Sequence, residues 1–144
     1  DKNDKLHSVL MDCITSLPPL KKTINIYIRA WVNINIPGSF NVQHSHPGCD
    51  LSGVLWIKCP KESGNIVFYS PSLFESFQEV ESYTQDFKDN NNYHHNYWFP
   101  PIEGRMIMFP SHLQHEVKKN LSNEDRISAS FNIKLEDKKI VWLE

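Results

Sequence analysis

The chain has 144 residues, of which 40% are hydrophobic and 12% aromatic, and its formal net charge is −2. This length predicts a single domain, residues 1–144, and the charge does not indicate a nucleic-acid or anionic-membrane partner. No apolar run approaches the roughly 20 residues of a membrane span, and we expect no signal peptide. The three cysteines are odd in number and form no CxxC pair, which argues against a disulfide framework and for a reducing compartment. We therefore expect a cytoplasmic protein.

The predicted elements begin with a helix over residues 3–17, whose apolar residues recur at helical spacing. Pro18 and Pro19 end it, and we expect it to cover the outside of a sheet. Residues 23–36 alternate between apolar and polar or aromatic side chains, which predicts a long strand. Shorter strands are predicted at 42–46, 52–58, 64–69, 105–109, 126–135 and 139–143.

Residues 72–98 depart from this strand pattern. They contain Gln78, Gln85 and the run 90–92 of asparagines, and few small aliphatic residues. We therefore predict an inserted segment, part helix near 72–82 and part loop. Its many aromatic side chains leave two alternatives open: a lid over an active site, or a surface excursion that packs its aromatics locally.

Two of the predicted strands carry a polar row opposite an apolar row. On residues 126–135, Arg126, Ser128 and Asn132 share one face, opposite Ile127 and its alternate neighbours. Many short strands separated by turn residues indicate a mainly β fold, a sandwich or barrel such as a jelly roll. In a jelly roll with a ligand cavity, we expect the polar row to line the cavity and the apolar row to pack on the outer helix or a flanking sheet.

A pattern of histidines predicts a metal site. His44 and His46 are separated by one residue on a predicted strand, so their side chains project from the same face. His115 comes later, after the predicted strand that Gly104 opens. Such a pair with one distant ligand predicts a facial three-ligand site with positions open for a co-substrate and oxygen. Asp50 is a fourth or alternative ligand. The remaining histidines are predicted to be surface or loop residues: His7, His94, His95 and His112.

Arg126 and Ser128 predict an anion site. Burying a guanidinium on the inner face of a barrel costs free energy unless an anion pairs with it. The tail of a dicarboxylate would fit, with bidentate pairing to Arg126 and a hydrogen bond from the Ser128 hydroxyl. The alternative is a structural ion pair of Arg126 with Glu103, Glu116 or Asp125.

The motifs resemble two related groups of proteins. The spacing of Gly38, His44, His46 and Asp50, with the later His115, resembles the two cupin motifs. A closer resemblance is to Fe(II)/2-oxoglutarate oxygenases common in marine bacteria and their phages. It rests on Trp31-Val32-Asn33, His44-Ser45-His46-Pro47, Leu51-Ser52-Gly53-Val54, Gly104-Arg105, Phe109-Pro110-Ser111, His115, Arg126-Ile127-Ser128 and Ser130-Phe131-Asn132.

This resemblance implies a double-stranded β-helix that binds Fe(II) and the co-substrate 2-oxoglutarate and uses O2 to oxidise a small-molecule or peptide substrate, for example by hydroxylation. It implies that Arg126 and Ser128 hold the far carboxylate of 2-oxoglutarate. Trp56 stands where many relatives place an aromatic side chain that faces the co-substrate, although it could equally be plain core. Asn33 and Asn132 lie on the predicted inner faces and are expected to orient ligands, although Asn132 could equally satisfy a neighbouring backbone group.

The metal motif departs from the family pattern, which is usually His-x-acid. His46 occupies the acid position, so either His46 replaces the acid as a ligand or Asp50 takes that role. Two further hypotheses stay open: a three-His cupin dioxygenase that does not use 2-oxoglutarate, and a non-catalytic jelly-roll binding module. The sequence also leaves open a homodimer formed through an edge strand.

Overall fold

The computed structural model describes residues 8–9, 11–12, 24–71, 82–91 and 94–137. Within these ranges the strands are β1 (Ile24–Asn35), β2 (Asn41–His44), β3 (Leu51–Lys58), β4 (Ile66–Tyr69), β5 (Asn96–Phe99), β6 (Met106–Pro110), β7 (His115–Val117) and β8 (Arg126–Asp137). Helix α1 (Gln85–Asn91) lies between β4 and β5.

The strands form two four-stranded sheets, in the orders β1-β8-β3-β6 and β2-β7-β4-β5. Strand β3 pairs antiparallel with β6 and β8, and β7 pairs antiparallel with β2 and β4. Each sheet therefore joins strands that are distant in the sequence, as in a jelly roll. The prediction of a mainly β fold is confirmed.

The core takes side chains from both sheets. Trp56 of β3, Phe109 of β6 and Ile66 and Phe68 of β4 form one buried cluster. Beside it, a Cβ on Gly53 would lie 2.2 Å from Cζ of Phe131, so only glycine allows that ring to pack across β3. This cluster holds β3, β4 and β6 together, and it forms one wall of the site described below.

The chain divides into two compact units, residues 27–134 and residues 1–26 with 135–144. Of the latter unit, the structure describes 8–9, 11–12, 24–26 and 135–137. The first four of these are helical, and the rest of the predicted helix 3–17 lies outside the described residues, as does the predicted strand 139–143. All of the site residues belong to residues 27–134.

Two strands were not predicted. No strand was predicted at His115, where β7 begins, and the residues of β5 were placed in the inserted segment. Strand β5 pairs with β4, with Ile66 opposite Phe99 and Tyr69 opposite Asn96. The end of the segment 72–98, from Asn96 onwards, therefore belongs to a sheet. Hydrogen bonds from a partner strand stabilise such short segments, and a local pattern does not reveal that partner.

The apolar row of β1 is less covered than expected. Val32 and Ile34 are 59% and 63% exposed, while most of the helix predicted to cover this row lies outside the described residues. Strand β1 lies at the edge of its sheet, where a side chain has a neighbouring strand on one side only. In the described ranges, no helix is both long and apolar enough to cross a membrane.

Candidate active site

Three histidines meet where β2 ends and β7 begins. His44 and His115 are partners in the β2–β7 register, and His46 follows two residues after His44. Their ring centroids are 4.3 to 5.2 Å apart, and one nitrogen from each ring lies within 4.8 Å of the other two. The structure therefore brings the three predicted ligands together, close enough to converge on one ion.

Backbone carbonyls fix the tautomer of two of these rings. Nδ1 of His44 lies 2.7 Å from the Val42 carbonyl oxygen, and Nδ1 of His115 lies 2.9 Å from that of Leu113. An Nδ1–H that donates to a carbonyl leaves the lone pair on Nε2, as in most metal-binding histidines. Two of the rings thus have Nε2 available for a metal, and this imidazole donor set fits Fe(II) as well as other divalent transition metals.

Burial favours the neutral form of His46 and His115. His115 is only 4% exposed, and burial, reinforced by the adjacent His44 and His46, lowers its pKa to about 4. Burial and then the neighbouring His44 also lower the pKa of His46. Both rings are therefore unprotonated at neutral pH, which is the form that binds a metal.

Asp50 does not join this group. Among the residues that the structure describes, the cluster able to hold a metal consists of His44, His46 and His115. Asp50 is exposed, and its backbone exchanges hydrogen bonds with the Ile133 carbonyl oxygen and the Ser111 amide. The observed arrangement thus favours His46 over Asp50 in the position where the family usually has an acid.

Arg126 is a buried cation. It is 2% exposed, and its Nη1 donates to the carbonyl oxygens of Ser63 and, at 3.2 Å, Gly64. Burial lowers the pKa of its guanidinium from the usual value. Gly64 has a φ of 93°, and a Cβ there would lie 2.1 Å from the Lys118 carbonyl oxygen. Glycine is therefore needed to form this turn beneath the guanidinium.

The described residues provide no carboxylate partner for Arg126. Of the three predicted partners, Asp125 is in none of the described ion pairs, and Glu103 accepts a hydrogen bond from the Cys59 amide. Glu116 is bound by Tyr69 and Lys118. The alternative of a structural ion pair is therefore wrong for the described part of the chain. A buried guanidinium that donates only to carbonyl oxygens has no anion to balance its positive charge.

The histidines and Arg126 line one cavity of about 90 Å³, here called the inner cavity. The polar rows of β1 and β8 form much of its wall, as predicted. All of the predicted site residues except Asp50 line it: Asn33, His44, His46, Trp56, His115, Arg126, Ser128 and Asn132. Trp56 belongs both to this wall and to the core cluster, so its two predicted roles coexist.

The two asparagines are held by side-chain hydrogen bonds. Asn33 donates from Nδ2 to Oγ of Ser130 at 2.8 Å, which links β1 to β8. Asn132 accepts at Oδ1 from Oγ of Ser52 at 2.8 Å, and that hydroxyl also contacts Oγ of Ser111 at 2.7 Å. These bonds fix both amides in the cavity wall and connect three strands around it.

A second cavity, here called the outer cleft, was missed by the sequence reasoning. It has a volume of about 380 Å³ and shares His46 and Asn132 with the inner cavity. Its other lining residues are Tyr27, Ile28, Arg29, Ser45, Pro47, Cys49 and Lys134. The parity of the strands was a usable signal, because Arg29 and Lys134 fall on the same faces as Asn33 and Asn132.

The described part of the predicted insert lies away from the site. Residues 82–91 and 94–98 line neither cavity. Three histidines, His94, His95 and His112, are also absent from both linings, in keeping with their prediction as surface or loop residues. His7 and residues 72–81 lie outside the described residues, so the lid hypothesis stays a prediction there.

The chain resembles solved structures of oxygenases. A 2OG-Fe(II) oxygenase-family oxidoreductase from Burkholderia pseudomallei is 17% identical, with a TM-score of 0.57 over 76% of this chain and 45% of that one. A prolyl-4-hydroxylase from Pseudomonas putida is 16% identical, with a TM-score of 0.53 over 74% and 51%. HygX from Streptomyces hygroscopicus, solved with nickel and 2-oxoglutarate, is 10% identical, with a TM-score of 0.56 over 87% and 62%.

These identities support similarity of fold, and the chain spans about half the length of the first two of these structures. No curated protein matches the sequence. Residues 29–132 match the sequence profile of the family described as "Putative 2OG-Fe(II) oxygenase". Because this match covers most of the chain and the fold agrees with it, the chain belongs to that family of 2OG-Fe(II) oxygenases.

Proposed function

We propose that the chain is the catalytic domain of an Fe(II)- and 2-oxoglutarate-dependent oxygenase that hydroxylates an organic substrate. The observation that carries the proposal is Arg126, a buried cation without a described carboxylate partner, in the same cavity as the three histidines. Bound Fe(II) and 2-oxoglutarate would supply oxygen activation there, coupling decarboxylation of the co-substrate to oxidation of the substrate.

The protein's own groups have separate tasks in this proposal. His44, His46 and His115 hold the metal as three neutral ligands, which leaves its full +2 charge to attract the anionic co-substrate. Arg126 binds the far carboxylate, and the carbonyl oxygens of Ser63 and Gly64 fix the plane of the guanidinium.

The neighbouring groups complete this site. Ser128, which is 5% exposed and lines the inner cavity, donates its hydroxyl to the same carboxylate. The buried rings of Trp56 and Phe109 give the cavity wall an apolar part.

The donor set itself supports a second candidate. Three neutral imidazoles without an acid are compatible with a three-His cupin dioxygenase that does not use 2-oxoglutarate. In that case Arg126 would be unnecessary for oxygen uptake. The third hypothesis, a non-catalytic jelly-roll module, requires that the purified protein take up no iron. We also propose that the protein is located in the cytoplasm. The free thiols of Cys49 and Cys59 are compatible with that reducing compartment.

The test is an anaerobic titration of the metal-free protein with Fe(II) and then 2-oxoglutarate, followed by visible absorbance and by succinate release after oxygen is admitted. We expect a metal-to-ligand charge-transfer band in the parent that is absent in His115→Ala. His112→Ala, an exposed histidine outside both cavities, is the matched control and should keep the band.

Each outcome selects one hypothesis. Iron binding without a band on addition of 2-oxoglutarate would favour the three-His dioxygenase. No iron binding would favour the binding module and contradict the proposed function.

A further inference from the structure

We propose that the outer cleft binds the substrate through an anionic group, with Arg29 as the principal contact, and that the substrate is a small organic carboxylate with an apolar body. This inference rests on the proposed function, because it assigns the cleft as the substrate site of the same metal. It adds a substrate class and a specificity-determining residue to that function.

The two cavities share His46 and Asn132 and follow one another along strands β1 and β8. On β1, the inner cavity is lined by Trp31 and alternate residues after it, and the outer cleft by Arg29 and Tyr27. On β8, the lining row runs from Arg126 in the inner cavity to Lys134 in the outer cleft. Since alternate residues share a face, each strand contributes one polar row that passes from the anion site to the cleft.

His46 connects this row to the metal. It lines both cavities, and its ring centroid is 6.4 Å from that of Trp31. A molecule seated in the outer cleft therefore lies against a proposed metal ligand. The cleft volume of about 380 Å³ falls within the usual range for small-molecule sites.

Distance separates the cations of the outer cleft from the co-substrate. Arg126 and Lys134 lie at opposite ends of the β8 row, and eight residues of strand span about 26 Å at ~3.3 Å each. A five-carbon diacid is several times shorter than this. One 2-oxoglutarate molecule held by Arg126 thus leaves Arg29, which lines the outer cleft, for a second anion.

The charge of the cleft selects the kind of ligand. Its described lining contains Arg29 and Lys134 and no acidic side chain, although the chain as a whole carries a net charge of −2. In the described ranges, Arg29 has no carboxylate within ion-pair distance. An exposed guanidinium can bind a carboxylate with two parallel hydrogen bonds, while the ring of Tyr27 and Pro47 offer apolar contact.

The test measures binding without catalysis. The ¹⁵N-labelled 144-residue chain is titrated with phenylacetate and with phenylacetamide, its uncharged equivalent, up to 20 mM, first without added metal and then with Ni(II). Amide shifts locate the probe by residue. The variants are Arg29→Gln, Arg29→Lys and, as the matched control, Arg105→Gln, which removes an exposed arginine that lines neither cavity.

We expect phenylacetate to shift amides of Tyr27, Arg29 and Lys134 and to bind about two- to fivefold more tightly than phenylacetamide, as for an exposed charge pair. Arg29→Gln should remove this preference, Arg29→Lys should keep part of it, and Arg105→Gln should leave the dissociation constant within about twofold.

Three results would overturn the proposal: equal binding of the two probes, unchanged binding in Arg29→Gln, or absence of shifts in the outer cleft at 20 mM. Shifts confined to Ser128 and Trp56 would also overturn it, because the carboxylate would then occupy the inner cavity. The metal-free titration needs neither iron nor 2-oxoglutarate, so its result is independent of the iron and charge-transfer test of the proposed function.

Discussion

Arg126→Met separates the cost of burying a cation from its use in binding an anion. In the free protein, the substitution removes a desolvated charge whose burial costs several kcal/mol. It also leaves two carbonyl oxygens, those of Ser63 and Gly64, without their donor, at about 1–3 kcal/mol each. These effects oppose each other, and we expect the free energy of unfolding without ligands to change by less than about 2 kcal/mol.

The ligand response should differ much more. A ligand at 100 times its dissociation constant stabilises a protein by about 2.7 kcal/mol, which for a domain of this size corresponds to a Tm increase of about 5–10 °C. Removing one partner of a buried charge pair costs about 2–5 kcal/mol, or at least about 30-fold in the dissociation constant. At the same concentration, Arg126→Met should then gain less than about 1 kcal/mol.

The assay is thermal unfolding with Ni(II), with and without 2-oxoglutarate. Arg105→Met is the control for loss of an exposed arginine, and Arg126→Lys keeps a charge but lacks the planar fork, so it should show a reduced response. A full Tm increase in Arg126→Met would refute the assignment of Arg126 to the co-substrate. So would a parent protein that takes up Ni(II) but does not respond to 2-oxoglutarate.

Three further predictions concern the surroundings of the site. Gly64→Ala places a Cβ 2.1 Å from the Lys118 carbonyl oxygen and should abolish folding or cost several kcal/mol in urea denaturation. Gly104→Ala, also at positive φ but with nothing within 4 Å, should cost only about 1–2 kcal/mol; equal losses would contradict the clash. Ser52→Ala removes a buried hydroxyl that contacts two polar side chains and should cost about 1–3 kcal/mol in the same assay; an unchanged midpoint would show that these contacts add no stability. Burial raises the pKa of Cys59 to about 11, so the fraction of Cys59 thiolate should still rise between pH 8 and 10. The rate at which iodoacetamide labels Cys59, measured by peptide mass spectrometry, should rise with it; a plateau below pH 9 would contradict this pKa.

The sequence by itself determined the elements whose pattern is local and periodic. Strands β1 and β8 follow from strict alternation, over all of β1 and over residues 126–135 of β8, because side-chain direction in a strand depends only on parity. The same parity placed Arg126 and Asn132 on the cavity side. The His-x-His spacing and the later His115 were likewise sufficient to predict the three residues that meet.

Only the tertiary structure decided what depends on partners distant in the chain. Strand β5 exists through its pairing with β4, and Asp50 stays outside the histidine cluster because its strand end is held by the backbone of other strands. The choice between an ion pair and an open anion site at Arg126 required knowing where every described acid lies. The outer cleft, finally, arises because the sheet places β1 beside β8 and the ends of their two polar rows lie together with His46, a juxtaposition that no local pattern encodes.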